Sequence, residues 1–272
     1  VVTITCFADE VSADLTEQLD VMASEGLRHI ELRNVWGKNV LELTDEDKSR
    51  VKAILDEKGF RISSIGSPLG KYSITEPFEP QVEAMRTAVA AAQYFDAKYI
   101  RVFSYFIPAG EHEQHRDEVL LRMRALTRLA EEGNVVLIIE NESGVYGDLP
   151  ERCLEILQAC DSAHAKLAFD PGNFVNNGVK PVSEAYPLVS EYTDYVHVKD
   201  ATREPSMFVP AGAGDGEFSA FIAKLKQRGF TGFLSVEPHL HKYLPEATNP
   251  ERVVAAVRAL KKLLADADIQ WQ

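Results

Sequence analysis

Residues 133–174 read GNVVLIIENESGVYGDLPERCLEILQACDSAHAKLAFDPGNF. Val135–Ile139 is a short, unbroken apolar run rich in β-branched residues, the composition of a strand buried on both faces. Leu149–Ala159 carries its apolar residues at helical spacing, and Lys166–Phe169 is a second strand candidate. Strand, helix and strand in that order make a crossover unit joining parallel strands.

The same unit recurs on both sides. Upstream lie strand candidates Thr3–Ala8, His29–Leu32, Arg61–Ile65 and Tyr99–Phe103, separated by helical patterns at Leu15–Ser24, Asp45–Glu57, Pro80–Phe95 and Glu113–Glu131. Downstream come Tyr195–Val198 and Phe233–Val236, with helices predicted at Val182–Ser190, Phe218–Arg228 and Pro250–Leu264. Eight strands, the last followed by a helix, predict an α/β fold: one (β/α)8 TIM barrel spanning residues 1–272,. A doubly wound open sheet would show a phosphate-binding glycine loop after its first strand, and Phe7-Ala8-Asp9-Glu10 is not one,. No linker divides the chain. Gly26, Gly59, Gly133 and Gly229 follow helical stretches, where a left-handed residue is expected to close each helix.

Composition narrows the function. Acidic residues number 42 against 29 basic ones, for a net charge of −13, and there is no basic run. Gripping nucleic acid requires concentrated Lys and Arg, so that class is disfavoured. Arg258, Lys261 and Lys262 read as cations near a helix C-terminus,. No apolar run is long enough to span a bilayer. The three cysteines, Cys6, Cys153 and Cys160, show no C-x-x-C spacing, which suits a reducing compartment and argues against a thiolate zinc site. No charged-then-apolar leader opens the stretch, and a cytoplasmic location is the expectation.

Barrels of this kind carry their active groups at the C-terminal strand ends. The last four strands end in Glu140, Asp170, His197 and Glu237, each directly after an apolar run. Neighbouring strands lie about 4.8 Å apart, so inward-pointing side chains from four consecutive ends converge. Three carboxylates that close repel one another unless a cation sits among them. One divalent ion, on oxygens of Glu140, Asp170 and Glu237 and a nitrogen of His197, resolves this; manganese, zinc, magnesium and cobalt all suit the donors. A single polar residue at a strand end is ordinarily a cap or a solvated loop residue. Four of ligand type in consecutive places are not explained that way.

These segments resemble the xylose isomerase-like barrel superfamily, in particular its sugar phosphate isomerase/epimerase members. The match lies in IIENE (138–142), FDPGNF (169–174), VHVKD (196–200), SVEPH (235–239) and AGAGDGEF (211–218), with Gly229–Gly232, FADE (7–10) and HIEL (29–32) in support. The resemblance implies a metal on Glu140, Asp170, His197 and Glu237, proton transfer by Glu140 and Glu237, a substrate-binding role for Arg203, and pairing of barrels into homodimers. Two positions depart: Asn173 lies where ketose 3-epimerases place a substrate-contacting histidine, and Tyr146 where they often have a glutamate. The departures count against a ketose 3-epimerase and leave the metal set untouched.

Lys199 shares the inward parity of His197; it either binds a substrate oxygen or phosphate or stands as a charge on the loop rim. His239 and Glu142 share parity with Glu237 and Glu140 and are candidates for substrate contact or for orienting a ligand. Glu31 closes strand two, where it binds substrate hydroxyls or pairs with Arg33 or another cation. Gly212–Gly216 reads as a flexible loop in preference to a phosphate cradle. His29, His112, His115 and His164 read as structural or surface residues, and the aromatics of Phe103–Phe106 line the pocket mouth or pack in the core. The expected activity is a metal-dependent isomerase or epimerase acting on a small carbohydrate-like substrate, by proton transfer through a metal-stabilised enediolate. A dehydratase using the same site is the alternative. An apurinic-site endonuclease needs more metal ligands and a basic groove, and a non-catalytic sugar-binding barrel needs no ion.

Overall fold

All eight apolar runs become strands. The computed structural model describes residues 1–272. The strands are β1 (Thr3–Cys6), β2 (His29–Leu32), β3 (Arg61–Gly66), β4 (Tyr99–Val102), β5 (Val136–Glu140), β6 (Ala165–Phe169), β7 (Thr193–Val198) and β8 (Phe233–Val236). Every ladder between them is parallel, and the order around the sheet is β1-β8-β7-β6-β5-β4-β3-β2. The chain is a TIM barrel. Its seam lies between β1 and β2, which share no ladder. There the C-terminal residues lie along β1: Val2 N–H donates to the Gln270 carbonyl at 3.0 Å, and Ile4 N–H to that of Gln272 at 2.9 Å.

Helices α1 (Leu15–Ser24), α2 (Asp45–Lys58), α3 (Glu79–Tyr94), α4 (His112–Glu132), α5 (Pro150–Cys160), α6 (Pro171–Asn176), α7 (Tyr186–Val189), α8 (Phe218–Arg228) and α9 (Asn249–Asp266) surround the strands. Side chains start several of them: Asp14 caps α1, and Thr44 and Thr248 form capping boxes with Asp47 and Glu251,. Two expectations are corrected. The helix expected over Val182–Ser190 is broken into a wide turn at Pro181–Ala185, the short α7, and a tight turn at Ser190–Tyr192. Pro181 and Pro187 open the first two pieces, because proline suits a helix start and cannot donate inside one,. Gly133 is not the left-handed residue after α4; Asn134 takes that role at φ 52°, a conformation asparagine tolerates,. Gly133 serves packing instead, since a Cβ there would lie 2.3 Å from Val89 Cγ1 on α3.

One continuous apolar core fills the space between barrel and helices. Inside the barrel, Tyr99, Val136, Ile138, Ala168 and Tyr195 form a separate plug backed by Phe233. The inward residues two steps further along β5, β6 and β7 are Glu140, Asp170 and His197, so alternation alone carries the interior from apolar to charged. No helix is long and apolar enough to cross a membrane.

Candidate metal centre

Each member of the strand-end quartet is placed by a rigid element. Glu140 is the last residue of β5, Asp170 follows β6 and caps α6, His197 lies in β7, and Glu237 follows β8. Register sets His197 opposite Ser235, two residues before Glu237. Ligand atoms of all four fall within 4.8 Å of one another, and all four side chains are buried.

Their neighbours divide the work. Arg101 Nη1 lies 3.2 Å from Glu140 Oε2, and Asn173 Nδ2 donates to Glu140 Oε1 at 3.2 Å. Asp170 Oδ1 accepts the Asn173 backbone N–H at 2.8 Å, and the Asn141 side chain clasps the backbone of Asp170 through two 2.9 Å bonds. That leaves Asp170 Oδ2 for the cluster. His197 stands between two carboxylates, Nδ1 at 3.2 Å from Glu140 and Nε2 at 3.3 Å from Glu31. Lys199 points inward: Nζ is 2.6 Å from Glu237, 2.9 Å from Asp170 and 4.0 Å from Glu140.

Among the protein groups alone, charge is shared unequally. Burial pushes the Glu140 carboxyl up, but His197 and Arg101 outweigh it and hold the group at about 2,. Burial raises Asp170 to about 7, with Glu140 and Glu237 adding repulsion against the pull of Lys199. Burial lowers the imidazole of His197, yet Glu140 and Glu31 overcome this and lift it to about 10. Glu237 is held low despite burial, chiefly by Lys199, with His239 and His197 assisting.

The donor set fits a divalent ion. Asp170 Oδ2 and both ring nitrogens of His197 are buried without an aligned hydrogen-bond partner, although charged neighbours lie close. Buried polar atoms are rarely left that way. Three hard oxygens and one imidazole are a ligand set for manganese, zinc, magnesium or cobalt.

The structure sorts the other candidates. His239 reaches the cluster, with Nε2 3.4 Å from both Glu237 and Glu10, and lines a 130 Å³ hollow with Asn176, Met207 and Phe208. Glu31 is buried on the far side of His197 and does not pair with Arg33, which bridges Asp9 and Glu10 instead. Arg203 is exposed at the turn of a hairpin formed by Asp200–Thr202 and Met207–Val209, and its side chain meets no member of the cluster. Glu142 pairs with Lys71 at 3.2 Å. Tyr146 turns its hydroxyl to Glu155, and Asn173 serves Glu140. Gly212, Gly214 and Gly216 donate their N–H groups to Asp200, so the glycine loop cradles the chain's own carboxylate. Phe103 and Tyr105 are core residues and Phe106 is exposed.

Arg101 escaped the sequence reading because it sits inside the apolar run of β4; a charge with inward parity in such a run is the signal that marks it. Tyr195 and Ser235, which donate to Glu31, carry no such signal. A hollow of about 580 Å³ opens at the opposite end of the barrel, beside His29, Arg61 and Lys98. That end holds no ligand cluster, and barrels of this type do not place chemistry there,.

Comparison with known proteins agrees with this architecture. A curated relative, 3-dehydroshikimate dehydratase of Bacillus anthracis, is 24% identical over 194 residues, covering 67% of this chain and 69% of its own. Among solved structures, a D-tagatose 3-epimerase-like protein superposes with a TM-score of 0.78 at 21% identity, covering 98% of each chain. IOLI protein with a bound zinc atom gives 0.79 at 15% identity, covering 97% of this chain and 98% of that one. Likeness at those identities establishes the fold. The family model described as xylose isomerase-like TIM barrel matches residues 19–263, and the chain belongs to that family.

Proposed function

We propose that this chain is a divalent-metal-dependent enzyme that moves a proton at a carbon next to a carbonyl in a small, carbohydrate-like substrate, as an isomerase or epimerase. One observation carries the reading: three carboxylates and an imidazole offer ligand atoms within 4.8 Å at the C-terminal mouth of the barrel,. A manganese, zinc, magnesium or cobalt ion bound there would polarise a substrate carbonyl and make the adjacent C–H more acidic. Glu140 and Glu237 are the proton carriers in this reading. Each is kept ionised by its own cations, His197 and Arg101 for Glu140, Lys199 and His239 for Glu237. One carboxylate takes the proton and either returns it or leaves the other to do so. Return to the opposite face inverts the carbon; return to the neighbouring carbon interconverts aldose and ketose. Lys199, which has only carboxylates as ion-pair partners, holds a substrate oxygen. His239 contacts the substrate from the mouth, and Arg203 does so from the hairpin. Phe7, edge-on to the His197 ring at 5.2 Å, keeps water off that flank.

A dehydratase is the second reading, favoured by the 24% identity to 3-dehydroshikimate dehydratase. It uses the same proton removal, followed by departure of a β-hydroxyl that Lys199 or His239 protonates. One experiment separates the two. Purified protein is assayed for bound divalent ion, then incubated in D2O with ketohexoses, their phosphates and 3-dehydroshikimate, and followed by proton NMR. Deuterium at the carbon next to the carbonyl, with the skeleton retained, marks an isomerase or epimerase. Loss of water to an ultraviolet-absorbing aromatic acid marks the dehydratase. Replacing Glu140 or Glu237 by Gln is expected to slow the reaction by about 10²–10⁴-fold even when ion content is restored. Wild-type rates in both variants would rule out the proton roles, and a chain that retains no ion would end the metal reading.

A further inference from the structure

Glu31 does not face the cluster. Its carboxylate lies on the far side of His197 from Glu140, and it is not among the four residues whose ligand atoms converge. Two hydroxyls donate to its Oε2, that of Ser235 at 2.7 Å and that of Tyr195 at 3.0 Å, and His197 Nε2 lies 3.3 Å from the same oxygen. Behind Tyr195 the chain of hydroxyls continues, to Ser63 at 2.9 Å and from Ser63 to Thr5 at 2.8 Å. A hydroxyl has one proton to give. Tyr195 gives its proton to Glu31, and the Ser63 hydroxyl packed behind it donates to the Ile30 carbonyl at 3.0 Å, which fixes the row to the backbone of β2,. Such a row holds the acceptor still. The imidazole is steadied from its sides by Phe7, edge-on at 5.2 Å, and Tyr195, edge-on at 5.7 Å. Two carboxylates stand closest to its nitrogens, Glu140 at 3.2 Å from Nδ1 and Glu31 at 3.3 Å from Nε2.

We propose that Glu31 is a positioning residue, anchored by the Tyr195 and Ser235 hydroxyls, that keeps the His197 proton on Nε2 and so presents Nδ1 to the ligand cluster. The role on substrate hydroxyls expected for Glu31 gives way to this one. A neutral imidazole carries one proton, and carboxylates flank both nitrogens,. Glu31, held by two hydroxyl donors outside the cluster, keeps the proton on Nε2, and Nδ1, beside Glu140 within the cluster, is left with a lone pair for an ion,. The proposal rests on the metal reading for its use, though not for its test.

The test combines Co²⁺ titration by calorimetry with long-range ¹H–¹⁵N NMR of ion-free protein labelled at histidine, recorded above pH about 10, where His197 carries a single proton, so that the spectrum reports which nitrogen holds it. In Glu31→Gln, Co²⁺ affinity is expected to fall about 10–100-fold, and the His197 signals to lose the pattern of a single Nε2–H form. Tyr195→Phe and Ser235→Ala, which keep the carboxylate and remove its anchors, shift both readouts the same way by less. They decide the matter should Glu31→Gln fail to fold. A folded Glu31→Gln with wild-type Co²⁺ affinity and a wild-type His197 spectrum overturns the proposal. A wild-type chain that takes up no Co²⁺ overturns the metal reading instead, and the spectra of the ion-free proteins then decide the role of Glu31 alone.

Discussion

Asp200 shows how one side chain can order a long connection. It follows Lys199 directly, and its two oxygens accept four backbone N–H groups, from Ala201 and Gly212 at 2.8 Å, Gly216 at 2.9 Å and Gly214 at 3.0 Å. The glycines at 214 and 216 are required by closeness: a Cβ on either would come within 2.6 and 2.5 Å of Asp200 Oδ1. Burial raises the Asp200 carboxyl, and the loop amides pull against it,. Asp200→Ala would leave four donors without their shared acceptor. We expect a loss of roughly 2–4 kcal/mol in chemical denaturation, since hydrogen bonds to a charged group are the costly ones to remove. Amides of residues 212–216 should exchange faster in the variant. Wild-type stability with unchanged exchange would mean the loop is held by something else.

At the scale of elements, the strand ends were legible because residue type changes abruptly from apolar to ligand at the end of each of the last four strands, within the strand for Glu140 and His197 and just past it for Asp170 and Glu237. Most helix starts were legible from the onset of helical spacing, but the short α6 was not anticipated, although Asp170-Pro171 carries the signature of a cap followed by a first-turn proline,. Contacts between distant elements were not legible. Glu31 and Tyr195 are separated by 164 positions, and nothing in the local pattern of HIEL says that its carboxylate turns under His197 and away from Arg33. Close backbone approach is equally silent in sequence. Gly70 lies at φ 81°, and a Cβ there would stand 1.9 Å from the Phe103 carbonyl oxygen, because Phe103 and Tyr105 donate to the carbonyls of Leu69 and Gly70 at 2.7 and 2.8 Å. Gly178 has a similar φ of 77° with open space around it. Ala at 178 should therefore cost about 1–2 kcal/mol, for the left-handed backbone alone. Ala at 70 adds an overpacking penalty of about 1–3 kcal/mol and displaces the end of β4. Equal melting temperatures for the two variants would show that the β3–β4 connection yields without cost.

For the whole molecule, the weak place is the seam between β1 and β2, and the closure is carried by contacts between the first and last parts of the chain. Glu25, at the end of α1, is paired with two cations of α9: Arg258 Nη2 lies 2.8 Å from one carboxylate oxygen and Lys261 Nζ 2.8 Å from the other. Lys261 also donates to the Glu25 carbonyl at 2.6 Å. Of the three cations read from sequence as complements to a helix terminus, Arg258 and Lys261 thus tie α9 to α1, and only Lys262 pairs within its own helix, with Asp266. Burial pushes the Glu25 carboxyl up, but hydrogen bonds from Arg258 and Lys261 outweigh it and leave the group below its ordinary 4.5. A folded value below the unfolded one means that the ionised form favours the folded state. The contribution is complete above the ordinary carboxylate range and disappears as pH falls through the lower, folded value. Arg258 is largely exposed, so solvent screening keeps the net effect near 1 kcal/mol. Glu25→Gln should accordingly be about 1 kcal/mol less stable than wild type at pH 7 in urea denaturation. The gap should narrow as the pH is taken below 4.5, and should shrink in high salt. A gap that stays constant from neutral to acid pH would assign the contribution of Glu25 to packing, leaving the seam to be held by the backbone pairing of the C-terminal residues with β1.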